Sequence, residues 1–233
     1  MRTTTATLVP STALAVGCAL LLLTDRARAR ATDEEPYLVP RIFLERYEPL
    51  VVPRRIVVRK VYEKGVQLTA NMEGFRPELY DDPAGYCTIG FGHLVRKAPC
   101  DGSEPPRFQR GLSREQALEL LRSDLGLAEQ AVSALAQSEL SDGQFASLCD
   151  FAYNVGRGAL ARSTLLEHVN QQAWERVPTQ FRRYVFANGR KLNGLVVRRE
   201  REIELFFEGR VMPRYVPSPD EDLSPIDIVL DTP

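Results

Sequence analysis

Histidine is scarce in this chain, and net charge is almost absent. Only His93 and His168 occur in 233 residues, and neither has the spacing to the cysteines that a zinc site needs. The sequence therefore predicts no metal and no cofactor. With a net charge of −1, the whole molecule has no strong field to attract an anionic polymer, so no nucleic-acid partner is expected. The chain also contains no internal repeat.

The composition is that of an ordinary soluble protein, with 44% hydrophobic and 26% charged residues, and the length suffices for one core plus extensions. The first 31 residues differ. Arg2 precedes an apolar run over residues 8–23, and the alanines at positions 29 and 31 have the spacing of an export cleavage site. This pattern predicts a secretory signal peptide over residues 1–31 and a protein of the periplasm, cell wall or medium.

The alternative for residues 1–31 is a retained signal-anchor, which would be the only contact with a membrane. The apolar run is shorter than the roughly 20 residues of a comfortable membrane helix, which favours cleavage. The arginines that follow it weaken the usual charge asymmetry of a signal peptide, namely Arg26, Arg28 and Arg30. Both interpretations stay open.

Three cysteines remain after a signal peptide is removed. Cys87 and Cys100 flank a predicted hairpin and its following loop, so a disulfide between them is possible in an oxidising compartment. Cys149 lies in an apolar helical pattern and is interpreted as a buried thiol.

The chain divides by pattern into four segments. Residues 32–60 are proline-rich and predict a linker or a strap over the domain, and residues 61–212 form the main domain. Residues 213–233 form an acidic, proline-containing tail that lacks periodicity and is predicted to be mobile. Within the domain, a helix is predicted over 61–74, strands and turns over 75–100, a helix beginning after Ser113, and helices over 142–155, 158–170, 172–186 and 196–208. The fold class is therefore α+β.

Residues 73–93 carry the strongest chemical signal, with the sequence EGFRPELYDDPAGYCTIGFGH. Two carboxylates and a hydroxyl surround a predicted tight turn, namely Glu73, Asp82 and Thr88. Glycoside hydrolysis needs one carboxyl group as an acid and a second as an anion that positions water or attacks the sugar. Three glycines let the backbone bend and pack closely beside these groups, namely Gly85, Gly90 and Gly92.

This segment resembles the active-site segment of the phage-type (T4-lysozyme-like, glycoside hydrolase family 24) lysozymes and endolysins. Residues 141–171 resemble the central helices of that family, and Gly194–Arg199 with Glu202 resembles its segment G-L-V-x-R-R-x-x-E. The matches occur in the family's order and cover roughly residues 62–210. The resemblance implies a lysozyme-like fold, in which a small β-hairpin lobe and a larger helical lobe enclose an active-site cleft.

The resemblance also implies roles for individual residues. Glu73 would be the general acid, and Asp82 and Thr88 would hold the water that attacks with inversion. The nine-residue step from Glu73 selects Asp82 over Asp81. His93 would brace the site as a structural residue. The candidates for substrate binding are Tyr153, Asn154 and Asn193, whereas Tyr80 and Trp174 are expected to pack inside the two lobes.

The function that this resemblance implies is that of a monomeric muramidase acting on peptidoglycan glycan strands. Lysis by a phage, wall turnover by a cell and an antibacterial weapon all stay open as roles. A lytic transglycosylase is the closest alternative, but that reaction does not need the water-holding pair. A non-catalytic wall-binding module would be expected to lack Glu73, and a structural coat component is supported only by residues 32–60 and 213–233.

Basic residues crowd one segment of the chain, namely Arg176, Arg182, Arg183, Arg190, Lys191, Arg198, Arg199 and Arg201. Such a cluster suits either an anionic ligand, such as the cell wall, or a solvated helix face, and the sequence does not choose between them.

Overall fold

The structure is a computed structural model that describes residues 58–228. The predicted signal segment and most of the predicted strap lie outside the described residues. The helices are α1 Glu63–Glu73, α2 Pro106–Gln109, α3 Arg114–Asp124, α4 Gly126–Leu135, α5 Asp142–Val155, α6 Arg157–Ala161, α7 Thr164–Asn170, α8 Val177–Phe181 and α9 Asn193–Phe206. The strands are β1 Arg76–Asp81, β2 Cys87–Gly90, β3 His93–Arg96, β4 Phe186–Ala187, β5 Arg190–Lys191 and β6 Asp227–Ile228.

The first sheet is antiparallel, with the strand order β1-β2-β3, and it follows α1 directly. All four residues of β2 are buried, which suits its β-branched and apolar composition. The register pairs Tyr80 with Thr88 and Ile89 with His93. The predicted strand and turns are present, and a third strand extends the predicted hairpin.

The helical lobe is built around α5, which packs against α9, α4 and α1. Its apolar residues are buried on almost every side, as expected for a central helix. Capping boxes begin α3 at Ser113 with Gln116 and α5 at Ser141 with Gln144. The helix predicted after Ser113 and the helix predicted over 142–155 are confirmed.

Two helix predictions were wrong in extent. The pattern over 158–170 contains two helices, because Ser163 caps a new helix by accepting a hydrogen bond from the N–H of Leu166. The helix predicted over 172–186 is only the short α8. Gln172 has a φ of 57°, which ends the preceding helix, and Pro178 suits only the first turn of α8.

Part of the acidic tail is held against the domain, so the prediction of a mobile tail was wrong there. Strand β6 pairs in parallel with β4, and the N–H of Ile226 donates to the carbonyl of Arg183 at 2.7 Å. Ile228 is buried in the core. Edge pairing of this kind uses backbone groups, which hydrophobic periodicity does not report.

Most of the basic cluster is neutralised. Arg182 pairs with Glu200 at 2.7 Å and Arg201 pairs with Glu204 at 2.7 Å, while Arg198 is buried. Neither an exposed anion-binding patch nor a simple solvated face describes these residues. Among residues 58–228, no helix combines the length and the apolar character needed to cross a membrane.

Candidate active site

Glu73 is the last residue of α1, where the helix stops at Gly74 with a φ of 75°. Its side chain is 26% exposed, so the carboxyl group is partly shielded and still reachable. Oε1 accepts a hydrogen bond from Nη1 of Arg198 at 2.8 Å. A Cβ atom built on Gly92 would lie 4.0 Å from Oε2, and the φ of +80° at this residue also favours glycine.

Asp82 lies in the turn between β1 and β2. Its Oδ1 atom accepts hydrogen bonds from the N–H groups of Ala84 at 2.8 Å and Tyr86 at 2.9 Å. Such an Asx turn fixes the position of the carboxylate. Within residues 58–228, no side chain or backbone group donates to Oδ2, which leaves this oxygen able to accept a hydrogen bond from water.

Thr88 is buried in β2, opposite Tyr80. Its hydroxyl group donates to the carbonyl of Tyr80, with the two oxygens 3.2 Å apart. A hydroxyl group that donates its single proton keeps two lone pairs as acceptors. The hydroxyl of Thr88 is therefore oriented as an acceptor.

His93 connects the sheet to α3. The Nδ1 atom of His93 lies 2.9 Å from Oδ2 of Asp124, the last residue of α3, and its ring packs 5.6 Å from that of Phe108. These contacts tie β3 to the helical part of the domain, beside the turn that faces Glu73.

A disulfide joins Cys87 in β2 to Cys100 in the loop after β3. Asp81 accepts a hydrogen bond from the N–H of Cys100 at 2.7 Å, so the bridged loop also holds the end of β1. Asp81 and the two sulfur atoms lie within 4.8 Å of one another, but sulfur atoms joined in a disulfide are not thiolate metal ligands. Cys149 is a buried free thiol, and burial raises its pKa.

Arg198 is the residue that links Glu73 to the helical lobe. Its Nε and Nη2 atoms donate to the two carboxylate oxygens of Asp150, each at 2.9 Å, while Nη1 donates to Glu73. The Arg198 side chain is 6% exposed and that of Asp150 is 0% exposed. Burial raises the pKa of Asp150, but the positive charge of Arg198 and the hydrogen bonds to the carboxylate together outweigh this effect, so the net shift lowers the pKa.

The residues of this site lie within a region that matches a known protein family. The family model for phage lysozymes matches residues 70–202, which include Glu73, Asp82, Thr88 and Arg198. The chain belongs to the phage lysozyme family. The resemblance inferred from the motif around Glu73 is thereby confirmed.

Similarity to individual lysozymes and endolysins supports the same family membership. The chain is 35% identical over 152 residues to the endolysin of Bacillus phage B103, covering 64% of this chain and 54% of that protein. It is 31% identical over 148 residues to the endolysin of Salmonella phage P22, covering 64% and 98%. The muramidase domain of SpmX from Asticaccaulis excentricus matches with a TM-score of 0.55 and 30% identity, covering 64% and 97%. The chain thus spans about half the length of the first relative and nearly all of the second.

Endolysins of the phage lysozyme family are glycoside hydrolases that lyse the peptidoglycan of the cell wall. The solved lysozyme structures also confirm the predicted α+β, lysozyme-like fold.

The three candidates for substrate binding in the lysozyme domain differ in their surroundings. Tyr153 is half-buried, and burial together with the negative charge of Glu73 raises its pKa. Asn154 accepts a hydrogen bond from Nη2 of Arg199 at 2.7 Å, which uses one of the two lone pairs of its carbonyl oxygen. Asn193 begins α9, is exposed, and lines a groove of about 590 Å³ together with Asn71.

A buried charged cluster in the lysozyme domain was missed in the sequence. It consists of Asp150, Arg198, Arg199 and Glu202, which are all buried. The sequence indicates Arg198, Arg199 and Glu202 only as parts of a family-like segment, and the two arginines also as members of the basic cluster. Asp150 stands alone among apolar residues of α5, and that pattern was the available signal, because a buried charge requires a partner.

Proposed function

We propose that this lysozyme domain hydrolyses the β-1,4 bond between N-acetylmuramic acid and N-acetylglucosamine of peptidoglycan, with inversion at the anomeric carbon. Glu73 donates a proton to the leaving oxygen. Asp82 and Thr88 hold the attacking water, and Asp82 takes a proton from it. These are the two carboxyl roles that an inverting glycosidase needs.

The surroundings of Glu73 support its role as the acid. Its carboxyl group is partly shielded, stands at the end of a helix and faces a glycine, so a sugar can approach without meeting a side chain at residue 92. Arg198 holds Oε1, which leaves Oε2 on the side of Gly92 to carry the proton.

The observation that carries the proposal is the asymmetric hydrogen bonding of Asp82. Two N–H groups fix Oδ1, and Oδ2 accepts no bond from residues 58–228. A fixed carboxylate with one unoccupied oxygen suits a base that orients water. Thr88 adds an acceptor on the paired strand, because its proton is already donated to Tyr80. Both groups would then accept hydrogen bonds from a single water molecule.

The test is to incubate the full chain with purified peptidoglycan and to identify the released muropeptides by mass spectrometry. New reducing ends on N-acetylmuramic acid support the proposal. Anhydro-muramic products would assign the domain to the transglycosylases instead. No products from a folded protein would indicate a binding or structural role.

Variants connect the activity to the residues. Glu73→Gln is expected to lower turnover by about 10²- to 10⁴-fold, and Asp82→Asn is also expected to lower it heavily. Glu78→Gln is the control for the first variant, because Glu78 is exposed on β1. Asp81→Asn is the control for the second, because asparagine keeps an acceptor for the N–H of Cys100. Full activity in Glu73→Gln would overturn the assignment.

The sequence of residues 1–31 supports export of the enzyme to the cell wall. Expression of the full chain in bacteria, followed by fractionation and N-terminal sequencing, tests this part of the proposal. A secreted or periplasmic chain that begins at Thr32 indicates cleavage, and an intact chain in the membrane fraction indicates a retained anchor. An intact chain confined to the cytoplasm would contradict export.

A further inference from the structure

The general acid proposed above has an unfavourable neighbour. Glu73 must carry a proton before it can donate one, yet the guanidinium group of Arg198 lies 2.8 Å from its Oε1 atom. A positive charge at this distance stabilises the carboxylate form and therefore disfavours the protonated form that a general acid needs. Some other group must therefore balance the charge of Arg198 if Glu73 is to keep its proton.

Asp150 has the geometry to do this. It meets the Nε and Nη2 edge of Arg198 with both carboxylate oxygens, each at 2.9 Å. Paired bonds of this kind fix the plane of the guanidinium group as well as neutralising it. Once that edge is occupied, Nη1 is the nitrogen directed to Glu73. Both side chains of the pair are almost fully buried, so water screens their charges little.

We propose that Asp150 is a positioning residue for the general acid: it neutralises Arg198 and aims Nη1 at Glu73, which orients the acid without removing its proton. This inference rests on the proposed function of Glu73. It assigns to Asp150 a role in catalysis without contact with the sugar.

The other ionisable groups around Arg198 do not replace Asp150. On α9, Glu202 lies 3.7 Å from Nε of Arg198 and 2.8 Å from Nη2 of Arg199. Burial raises the pKa of Glu202 well above its usual value, which favours its neutral form, so this residue is a weaker counter-charge to Arg198 than Asp150. Burial also lowers the pKa of Arg199.

The remaining neighbours complete the environment of the acid. On α1, the hydroxyl group of Thr69 donates to the carbonyl of Gly65 at 3.3 Å, and its influence on Asp150 lowers the pKa of that carboxyl group. On α5, burial raises the pKa of the Tyr153 hydroxyl group, and the negative charges of Glu73 and Asp124 raise it further. Asp124, at the end of α3, is paired with His93. Among the described residues, Asp150 is therefore the one fully buried carboxylate that accepts hydrogen bonds from Arg198, whereas Glu202 lies farther away at 3.7 Å.

The test is the variant Asp150→Asn, which keeps the shape of the side chain and removes its charge. The carboxyl carbon of Glu73 is followed by NMR in a protein labelled at glutamate side chains, and the resonance is assigned by its loss in Glu73→Gln. We expect the midpoint of its titration to move down by roughly 1 pH unit relative to the native protein. The alkaline limb of the kcat/KM profile should move in the same direction, mainly through kcat.

The matched control is Asp142→Asn. Asp142 lies on the same helix but pairs with Arg59 at the surface, so neither the titration nor the pH profile should move. An unchanged titration midpoint and an unchanged alkaline limb in Asp150→Asn would overturn the inference and leave Asp150 a purely structural residue.

A second variant keeps the inference testable if Asp150→Asn does not fold. In Asp150→Asn with Arg198→Gln, both charges are removed together, so the Glu73 midpoint should not fall below the native value, while kcat should fall because the carboxyl group is no longer aimed. A lowered midpoint in this double variant would contradict the inference. The NMR readout needs no turnover, so it is separate from the test of Glu73 as the acid.

Discussion

The two halves of the candidate site are held by different kinds of contact. On the sheet side, Asp82 is held by N–H groups two and four residues away, and Thr88 bonds a carbonyl eight residues away. On the helical side, Arg198 joins Glu73 across 125 residues and Asp150 across 48. Local turn chemistry therefore shapes one half, whereas the other half exists only after the helices have packed.

The largest effect is expected on the helical side. Arg198→Met would leave Asp150 buried without a counter-charge and should lower the free energy of unfolding by about 3–5 kcal/mol, measured by urea denaturation. Arg182→Met is the control, because the pair of Arg182 with Glu200 is exposed and is expected to contribute less than about 1 kcal/mol. Equal losses in the two variants would show that the buried ion pair of Arg198 contributes no more to stability than the exposed pair of Arg182.

The sheet side has one covalent constraint that can be broken. Replacing Cys87 and Cys100 together by serine opens a loop with a sequence separation of 13 residues and should lower the free energy of unfolding by about 3 kcal/mol. Thermal unfolding with and without a reducing agent measures this effect. Reduction should destabilise the native chain and leave the double variant unchanged. A native chain that is insensitive to reduction would contradict the prediction.

The pH dependence of stability sharpens the comparison on the helical side. Because burial raises the pKa of Glu202 in the folded state, the folded chain binds more protons than the unfolded chain above the usual glutamate pKa. Stability should therefore fall as pH rises from about 4.3, by up to about 1.4 kcal/mol per pH unit for this one group.

The variant Glu202→Gln removes this titration. Its free energy of unfolding, relative to that of the native chain, should improve as the pH is raised above about 5 in urea denaturation experiments. Glu204→Gln on the same helix is the control, because Glu204 is exposed and pairs with Arg201. If the free energies of unfolding of the native chain and Glu202→Gln changed in parallel with pH, the raised pKa of Glu202 would be refuted.

The smallest effects are expected at the helix caps, which are local contacts within the helical side. Ser113→Ala at the start of α3 and Ser141→Ala at the start of α5 should each lower the free energy of unfolding by about 1 kcal/mol. Both are measured by urea denaturation. A loss above about 3 kcal/mol at either position would mean that the substitution disturbs the packing of the helix and does not only remove its cap.

The same division explains what the sequence predicts. The spacing of Glu73, Asp82 and Thr88 and the caps of the helices are local patterns, and the structure contains the turn, strands and helices that they indicate. The partners of Arg198 depend on how α5 and α9 cross, which no local pattern contains. The pairing of β6 with β4 was missed for the same reason.

The most direct test of the central claim is the configuration of the first product. Soluble peptidoglycan oligosaccharide would be cleaved by the full chain in an NMR tube, and the anomeric proton of the new N-acetylmuramic acid end would be followed before mutarotation. Attack by water held at Asp82 and Thr88 predicts that the α-anomer appears first. First appearance of the β-anomer, or of an anhydro product, would contradict this account.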